Sequence, residues 1–333
     1  MKAMVYHTYG SPDVLHCEDV EKPTPSDNQV LIRVRAAAVN PLDCGLMKGK
    51  PYFMRFLFGF PRPKVTRPGR DVSGQVEAVG RSVKQFKPGD EVFGACTAGN
   101  WMKKVDGAFA EYACTLETAL VLKPQNVTFE QAASTPVAAL TALQGLRDKG
   151  RIQPGQRVLI NGAAGGVGTF AVQIAKALGA EVTAVCSTRN VEMVQRIGAD
   201  HVVDYTQKDF TKSGEQYDVI FDLVGNHSFL ENRRALVPKG IFVGAGVVGG
   251  PKSILGMLGG LISTIVVSLF VSQKYATFVA KVDTNDLHVM RELMASGKVT
   301  PIVDQVFQLS EAGEAMRYQD QGHARGKIVI ALP

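Results

Sequence analysis

Three glycines at a spacing of three, Gly162, Gly165 and Gly168, lie in VLINGAAGGVGTFAVQIAKALG, between a run of strand length and an amphipathic helical stretch. Glycines so placed permit a sharp turn and let a pyrophosphate approach the backbone with no Cβ in the way. The helix that follows turns its unpaired N–H groups and positive dipole end toward the phosphates. Gly162, Ala163, Gly165, Gly166, Val167 and Gly168 are therefore the expected cradle of a dinucleotide. Which dinucleotide depends on the end of the next strand, EVTAVCSTRN. A carboxylate there accepts hydrogen bonds from the ribose hydroxyls of NAD, but the chain offers Cys186, Ser187, Thr188 and Arg189, with Glu181 at the opposite end of the run. Hydroxyls and a guanidinium hold a 2′-phosphate that a carboxylate would repel. The expected cofactor is NADP(H), with Ser187 and Arg189 on its phosphate.

Such a cradle has to be carried by a parallel sheet, and the sequence changes texture to suit. Before residue 125, stretches such as QVLIRVRAAAV, VSGQVEAVG and DEVFGAC alternate apolar with polar or small residues between Gly, Pro and Asp punctuation, which predicts an irregular, largely antiparallel β domain. TFEQAASTPVAALTALQGLRD then reads as helical, with Thr128 and Gln131 spaced as a capping box. From there RVLIN, EVTAVC, VIFDLVG and GIFVGAG alternate with helical segments. That pattern predicts an α/β domain of doubly wound type, helices on both faces of a parallel sheet. The last thirty or so residues return to strand–helix–strand and are expected to rejoin the first domain. The expected division is 1–125, 126–282 and a return segment, 283–333.

Composition narrows the classes. A chain of 333 residues, 45% hydrophobic and 20% charged, suits two globular domains and not extended disorder. Its excess of six cations gives no argument for nucleic acid. The five cysteines include no C-x-x-C pair, and the N-terminal residues do not read as a secretory leader. A disulfide scaffold and a four-cysteine zinc site are excluded, and a cytoplasmic location is expected.

Several further stretches occur together in one order: VNPLD at 39–43, GRDVSGQVEAVG at 69–80, PGDEVFG at 88–94, GAFAEY at 107–112, NGAAGGVGTFAVQIAK at 161–176 and HARGKIVI at 323–330. In this combination, over nearly the whole length, the sequence resembles the medium-chain dehydrogenase/reductases, specifically their zinc-free quinone oxidoreductase branch. The resemblance implies a GroES-like β domain built from both termini, a Rossmann domain between them, an active site in the cleft, and a homodimer. It also implies roles for single residues. Asn40 matches a position near the nicotinamide ribose that is able to donate to the substrate oxygen; Tyr52, in MKGKPYF, matches a substrate-loop tyrosine; Thr141 matches a nicotinamide contact. Tyr205, Gly225, Asn226, Gly246, Val247 and Lys327 match cofactor contacts, and Asp43 a structural hydrogen-bond hub.

Departures from the zinc alcohol dehydrogenases of that superfamily bear on mechanism. Asn40 stands where those enzymes have a cysteine ligand, Gly69-Arg70-Asp71 replaces G-H-E, and Val137 lies near the third ligand. None of these supplies the thiolate or imidazole that a catalytic zinc needs, and the six histidines show no paired ligand spacing. No metal is expected. Without a Lewis acid, an isolated carbonyl has no strong partner for its developing charge, whereas a quinone or conjugated enone spreads that charge through its own π system. The expected reaction is NADPH-dependent hydride transfer to a quinone, enone or enal. An alcohol dehydrogenase, and an NADPH-binding sensor or scaffold with little turnover, are the competing readings.

One stretch, ILGMLGGLISTIVVSLFV at 254–271, is free of charge and about long enough to cross a bilayer. A crossing would put GIFVGAG and YATFVAKV, which both read as strands of one sheet, on opposite sides. A buried helix or subunit-interface segment is expected instead, with a lid or peripheral membrane contact as alternatives.

Overall fold

In the computed structural model the early chain forms β1 (Lys2–Val5), β2 (His16–Asp19), β3 (Gln29–Val39), α1 (Pro41–Lys48), α2 (Met54–Phe58), β4 (Asp71–Val79), β5 (Glu91–Ala95), β6 (Tyr112–Leu116) and β7 (Leu120–Leu122). Helices α3 (Phe129–Ala133) and α4 (Pro136–Leu143) lead into β8 (Arg157–Asn161), α5 (Gly166–Ala177), β9 (Glu181–Cys186), α6 (Val191–Arg196), β10 (His201–Asp204), β11 (Tyr217–Asp222), α7 (Phe229–Arg234), β12 (Leu236–Ala245) and β13 (Lys274–Phe278). The chain closes with α8 (Thr284–Ala295), β14 (Val303–Gln308), α9 (Ala312–Asp320) and β15 (Lys327–Ala331). The structure describes residues 1–50, 52, 54–97, 107–245 and 272–333. Gly246, Val247 and the apolar stretch 254–271 lie outside the described residues. Among those that are described, no helix is long and apolar enough to cross a membrane.

Two compact units result, Met1–Leu140 with Lys281–Pro333, and Thr141–Ala280. The sequence reading sets the first boundary at 125; the compact units divide after Leu140, because α3 packs Ala133 against Ala36, Ala38 and Val329 of the first sheet.

In the first unit, seven strands run in the order β14-β15-β3-β4-β5-β7, with β6 also on β3. Pairing is antiparallel except between β14 and β15. The return segment does rejoin this sheet: Ile328 to Ala331 pair with Val39 to Ala36. The alternation in QVLIRVRAAAV places Val30, Ile32 and Val34 in one core cluster, as the two-residue period of a strand requires; a register shift between Val34 and Ala36 then turns Ala37 and Val39 to that side.

In the second unit, six strands, parallel throughout, take the order β10-β9-β8-β11-β12-β13. Numbered within the unit this is 3-2-1-4-5-6, the doubly wound order, and its direction reverses between β8 and β11, where ligands of such sheets bind. Helix α5 buries Phe170, Ala171, Val172, Ile174 and Ala175 completely, apolar groups spread around the helix that hold it inside its unit.

Candidate functional site

The glycine loop lies between β8 and α5. Gly162 has φ +87°, a conformation that disfavours any Cβ. At Gly168 a Cβ would lie 2.1 Å from the Gly162 carbonyl oxygen, so this glycine lets the helix close onto the turn. Gly165 is different: its Cβ would meet only that same oxygen, at 3.5 Å. Helix α5 has no side-chain cap. Its first satisfied donor is the Thr169 N–H, which donates to the Gly165 carbonyl at 3.0 Å. The N–H groups of Gly166, Val167 and Gly168 are the helix's orphan donors. Gly162 and Ala163, expected in the cradle, have their N–H groups bonded to the Val185 carbonyl at 3.2 and 3.1 Å. These two residues shape the turn; the unengaged donors belong to the helix.

At the switch point, Asn161 at the end of β8 donates through Nδ2 to Asp222 Oδ1 and to Asn226 Oδ1, both at 2.9 Å. Asp222 Oδ1 also accepts from the N–H groups of Val224 and Gly225, at 2.9 and 3.0 Å. Gly225 and Asn226 are thereby held beside the glycine-loop strand. Asp222 was not among the expected residues; a carboxylate ending the apolar run VIFD is the signal that marks it.

Strands β9 and β10 finish side by side, with Asp204 opposite Cys186. The Tyr205 N–H donates to the Cys186 carbonyl at 3.0 Å and its ring is exposed, which brings Tyr205 to the end of the strand that Ser187 and Arg189 follow in sequence. The Ser187 hydroxyl accepts from Asn190 Nδ2 at 3.1 Å. Sequence reasoning missed Asp204, whose carboxylate accepts from the Thr188 hydroxyl at 2.6 Å. A carboxylate does therefore border this end, one strand over from where NAD recognition places it.

In the first unit, two of the three positions lacking metal ligands, 40 and 137, meet at the buried Asp71 carboxylate. The Asp71 carboxylate accepts from Asn40 Nδ2 at 2.9 Å and from the Val137 N–H at 2.9 Å. Lys327 Nζ donates to Asn40 Oδ1 at 2.6 Å, to the Val39 carbonyl at 3.2 Å and to Asp71 Oδ2 at 3.4 Å. Lys327, expected among the cofactor contacts, thus engages its ammonium with three oxygens of its own unit. Asn40 has both amide protons directed at protein oxygens, the second toward the Ala38 carbonyl at 3.4 Å, which leaves it an orienting role before a donating one. Burial raises the Asp71 carboxyl, and the Lys327 ammonium opposes that shift.

Asp43 occupies the hub position its resemblance implies. Its carboxylate accepts from the Asn40 N–H and the Gly69 N–H, both at 3.0 Å, tying the start of α1 to the start of β4. Burial pushes its pKa up to about 6, with the Arg70 guanidinium pulling the other way. Arg70 is itself buried; Nη1 reaches the Cys96 carbonyl only at 3.5 Å, and Nη2 has no hydrogen-bond partner. Thr141 is half-buried on α4. Tyr52 is exposed, its ring 5.0 Å from the Arg55 guanidinium. Among the described residues, no group of three His, Cys, Asp or Glu side chains is placed to hold a metal ion.

Residues 26–125 match the family profile of the alcohol dehydrogenase GroES-like domain, and 197–330 that of the zinc-binding dehydrogenases. The second match does not include positions 40, 70 and 137. The chain is 34% identical to the chloroplastic NADPH-dependent alkenal/one oxidoreductase of Arabidopsis thaliana, over 99% of this chain and 79% of that protein. It is 32% identical to the chloroplast envelope quinone oxidoreductase homolog of the same plant, over 99% and 98%. The solved quinone oxidoreductase of Coxiella burnetii superposes with a TM-score of 0.87 at 30% identity, over 100% of this chain and 99% of that one. With two domain profiles matched and relatives aligned over 99% or more of this chain, it belongs to the medium-chain dehydrogenase/reductase superfamily, among its quinone and alkenal/one oxidoreductases.

Proposed function

We propose that this chain is a zinc-independent, NADPH-dependent reductase that delivers hydride to a quinone or to the β-carbon of an α,β-unsaturated carbonyl. The observation that carries this reading is the knot around Asp71. The positions where a catalytic zinc would need thiolate and imidazole hold an amide bonded on both sides, a guanidinium and an aliphatic side chain whose backbone N–H is already engaged. That donor set does not fit zinc. The names of the relatives, alkenal/one and quinone oxidoreductases, support the acceptor class.

The donor set of the second unit does fit a dinucleotide. The N–H groups of Gly166, Val167 and Gly168 would hold the pyrophosphate, Ser187, Arg189 and Tyr205 the 2′-phosphate, and Gly225 and Asn226 the chain at the switch point. Gly246 and Val247 belong to the same proposed set. Bound there, NADPH supplies a hydride. The chain's own contribution is to hold donor and acceptor in register, and positioning of this kind lowers a barrier by roughly 7–11 kcal/mol. In the first unit, Asn40 is an orienting group, and Tyr52 and Thr141 are the candidates for contact with the acceptor and the nicotinamide. The same reading takes the protein as a cytoplasmic homodimer, which sedimentation and cell fractionation test.

The deciding experiment follows NADPH absorbance with a benzoquinone, a conjugated enal, an enone and, in reverse with NADP⁺, a saturated alcohol, before and after chelation. Turnover of the conjugated acceptors alone, unchanged by the chelator, is expected. Brisk oxidation of the alcohol, or activity lost to the chelator and restored by zinc, would overturn the reading. Removing the charge-assisted contact in Arg189→Ala is expected to lower the NADPH:NADH preference by about 10- to 100-fold.

A further inference from the structure

From Lys48 to Arg70 the sequence carries seven Lys and Arg residues, five Phe and Tyr residues and no Asp or Glu. Removing those seven cations leaves 30 against 31 carboxylates in the rest of the chain, so the net charge of +6 is concentrated in this one segment. Not all of it faces solvent. Lys48 pairs with Asp320 at 2.5 Å, and Arg70 is buried. Lys50, Arg62 and Lys64 are exposed, and no carboxylate pairs with them among the described residues.

The same segment exposes aromatic rings. Tyr52 is 64% exposed, Phe56 76% and Phe60 68%, and Tyr205 is the one other exposed Phe or Tyr ring among the described residues. Phe56 and Phe60 stack on each other, centroids 5.6 Å apart, and project as a pair. The segment is anchored beneath them: Phe58 and Val65 are buried, and the Tyr9 hydroxyl donates to the Gly59 carbonyl at 2.7 Å. Arg55 stacks on the rings of Tyr9 and Tyr52 at 4.6 and 5.0 Å while donating to the Lys48 and Gly49 carbonyls.

Protruding rings flanked by unpaired cations match the surface of an anionic bilayer, where aromatic rings lie at headgroup depth and each nearby cation strengthens binding about fivefold. We propose that this face docks the protein on anionic phospholipid membranes. Phe56 and Phe60 enter the headgroup layer, while Lys50, Arg62 and Lys64 meet lipid phosphates and carboxylates. The inference does not depend on the reductase reading.

The test is co-sedimentation of the full chain with phosphatidylcholine vesicles, with and without phosphatidylserine, at low and high salt. Binding is expected to require phosphatidylserine and to be released by salt. Two double variants, F56S/F60S and R62Q/K64Q, should each weaken it by about tenfold or more. Their far-UV circular dichroism and turnover of a water-soluble quinone should be unchanged. No binding to phosphatidylserine vesicles, equal binding without phosphatidylserine, or full binding by either well-folded variant would overturn the proposal. So would a solution dimer that F56S/F60S dissociates, because the rings would then be covered by a second copy.

Discussion

Asp71 and Lys327 bring opposite charges together with side chains 0% and 4% exposed. Their 3.4 Å separation is longer than the 2.6 Å contact from Lys327 to Asn40, so the amide mediates much of the pair's interaction. Desolvation of two such charges offsets most of their attraction, but removing one leaves the other buried and unmatched. Lys327→Met is therefore expected to destabilise the first unit by about 3–5 kcal/mol, and the Asp71→Asn/Lys327→Met double variant to recover part of that loss. Urea midpoints decide it. A double variant no more stable than the single one would show that the ammonium's packing matters more than its charge. Asp43 gives a prediction in pH. Its folded pKa of about 6 lies above the unfolded value near 3.9, so the folded state binds more protons between those values. Stability from this group is full below about pH 4 and falls by about 3 kcal/mol as pH rises to about 6. Asp71 is raised in the same direction. Asp43→Asn should consequently flatten the slope of urea midpoint against pH over that range without abolishing it. At this scale the sequence shows what is missing, because residue type alone decides whether positions 40, 70 and 137 can bind zinc. It does not show what those positions bond to instead, since Lys327 is 287 residues from Asn40 and 256 from Asp71.

Glycines in one motif do separate jobs, and substitution should separate them. At Gly168 an added Cβ meets backbone atoms of Gly162 and Ala163 at 2.1 to 2.7 Å, and neither can move without displacing the turn. At Gly165 it meets one oxygen at ordinary contact distance, and the backbone angle suits any residue. Gly168→Ala is expected to lower the urea midpoint and NADPH affinity together. Gly165→Ala should keep the midpoint while weakening NADPH about tenfold or more, through the pyrophosphate's close approach. Equal NADPH affinity in folded Gly165→Ala would remove this loop from the cofactor site. Elements of this kind were legible from punctuation and period: β3, β4 and β5 fall on the alternating stretches, and Thr128 and Gln131 form the expected capping box. The helical stretch they open reads as one piece, and the structure breaks it between α3 and α4, with a π-helical segment Gln144–Lys149 continuing from α4. The Ser134 and Thr135 hydroxyls donate back to the Gln131 carbonyl at 2.7 and 3.0 Å, closing α3, and Pro136 opens α4. Proline cannot donate to the preceding turn but suits the first turn of a new helix.

Connectivity makes the two units unequal. Thr141–Ala280 is one continuous piece of chain that contains all six strands of its sheet, whereas the other unit needs both ends of the chain. Strand β15 is not an edge addition; it lies between β14 and β3. Ile328, Val329 and Ile330 are each 0% exposed. Burying three such side chains contributes about 1.5–3 kcal/mol apiece, together comparable with the roughly 5–15 kcal/mol that holds a whole domain folded. The Lys327 contacts to Asn40 and Asp71 leave with the same strand. A fragment 1–140 is therefore expected to lack a cooperative urea transition, while 1–140 joined through a short flexible linker to 281–333 regains one. The fragment 141–280 should unfold cooperatively unaided and retain NADPH binding. Circular dichroism through a urea series on the three fragments measures this directly. A cooperative transition in 1–140 alone would mean that the early strands close their core without the return segment. In that case the buried Lys327–Asp71 pair would not be one of the sheet's fastenings.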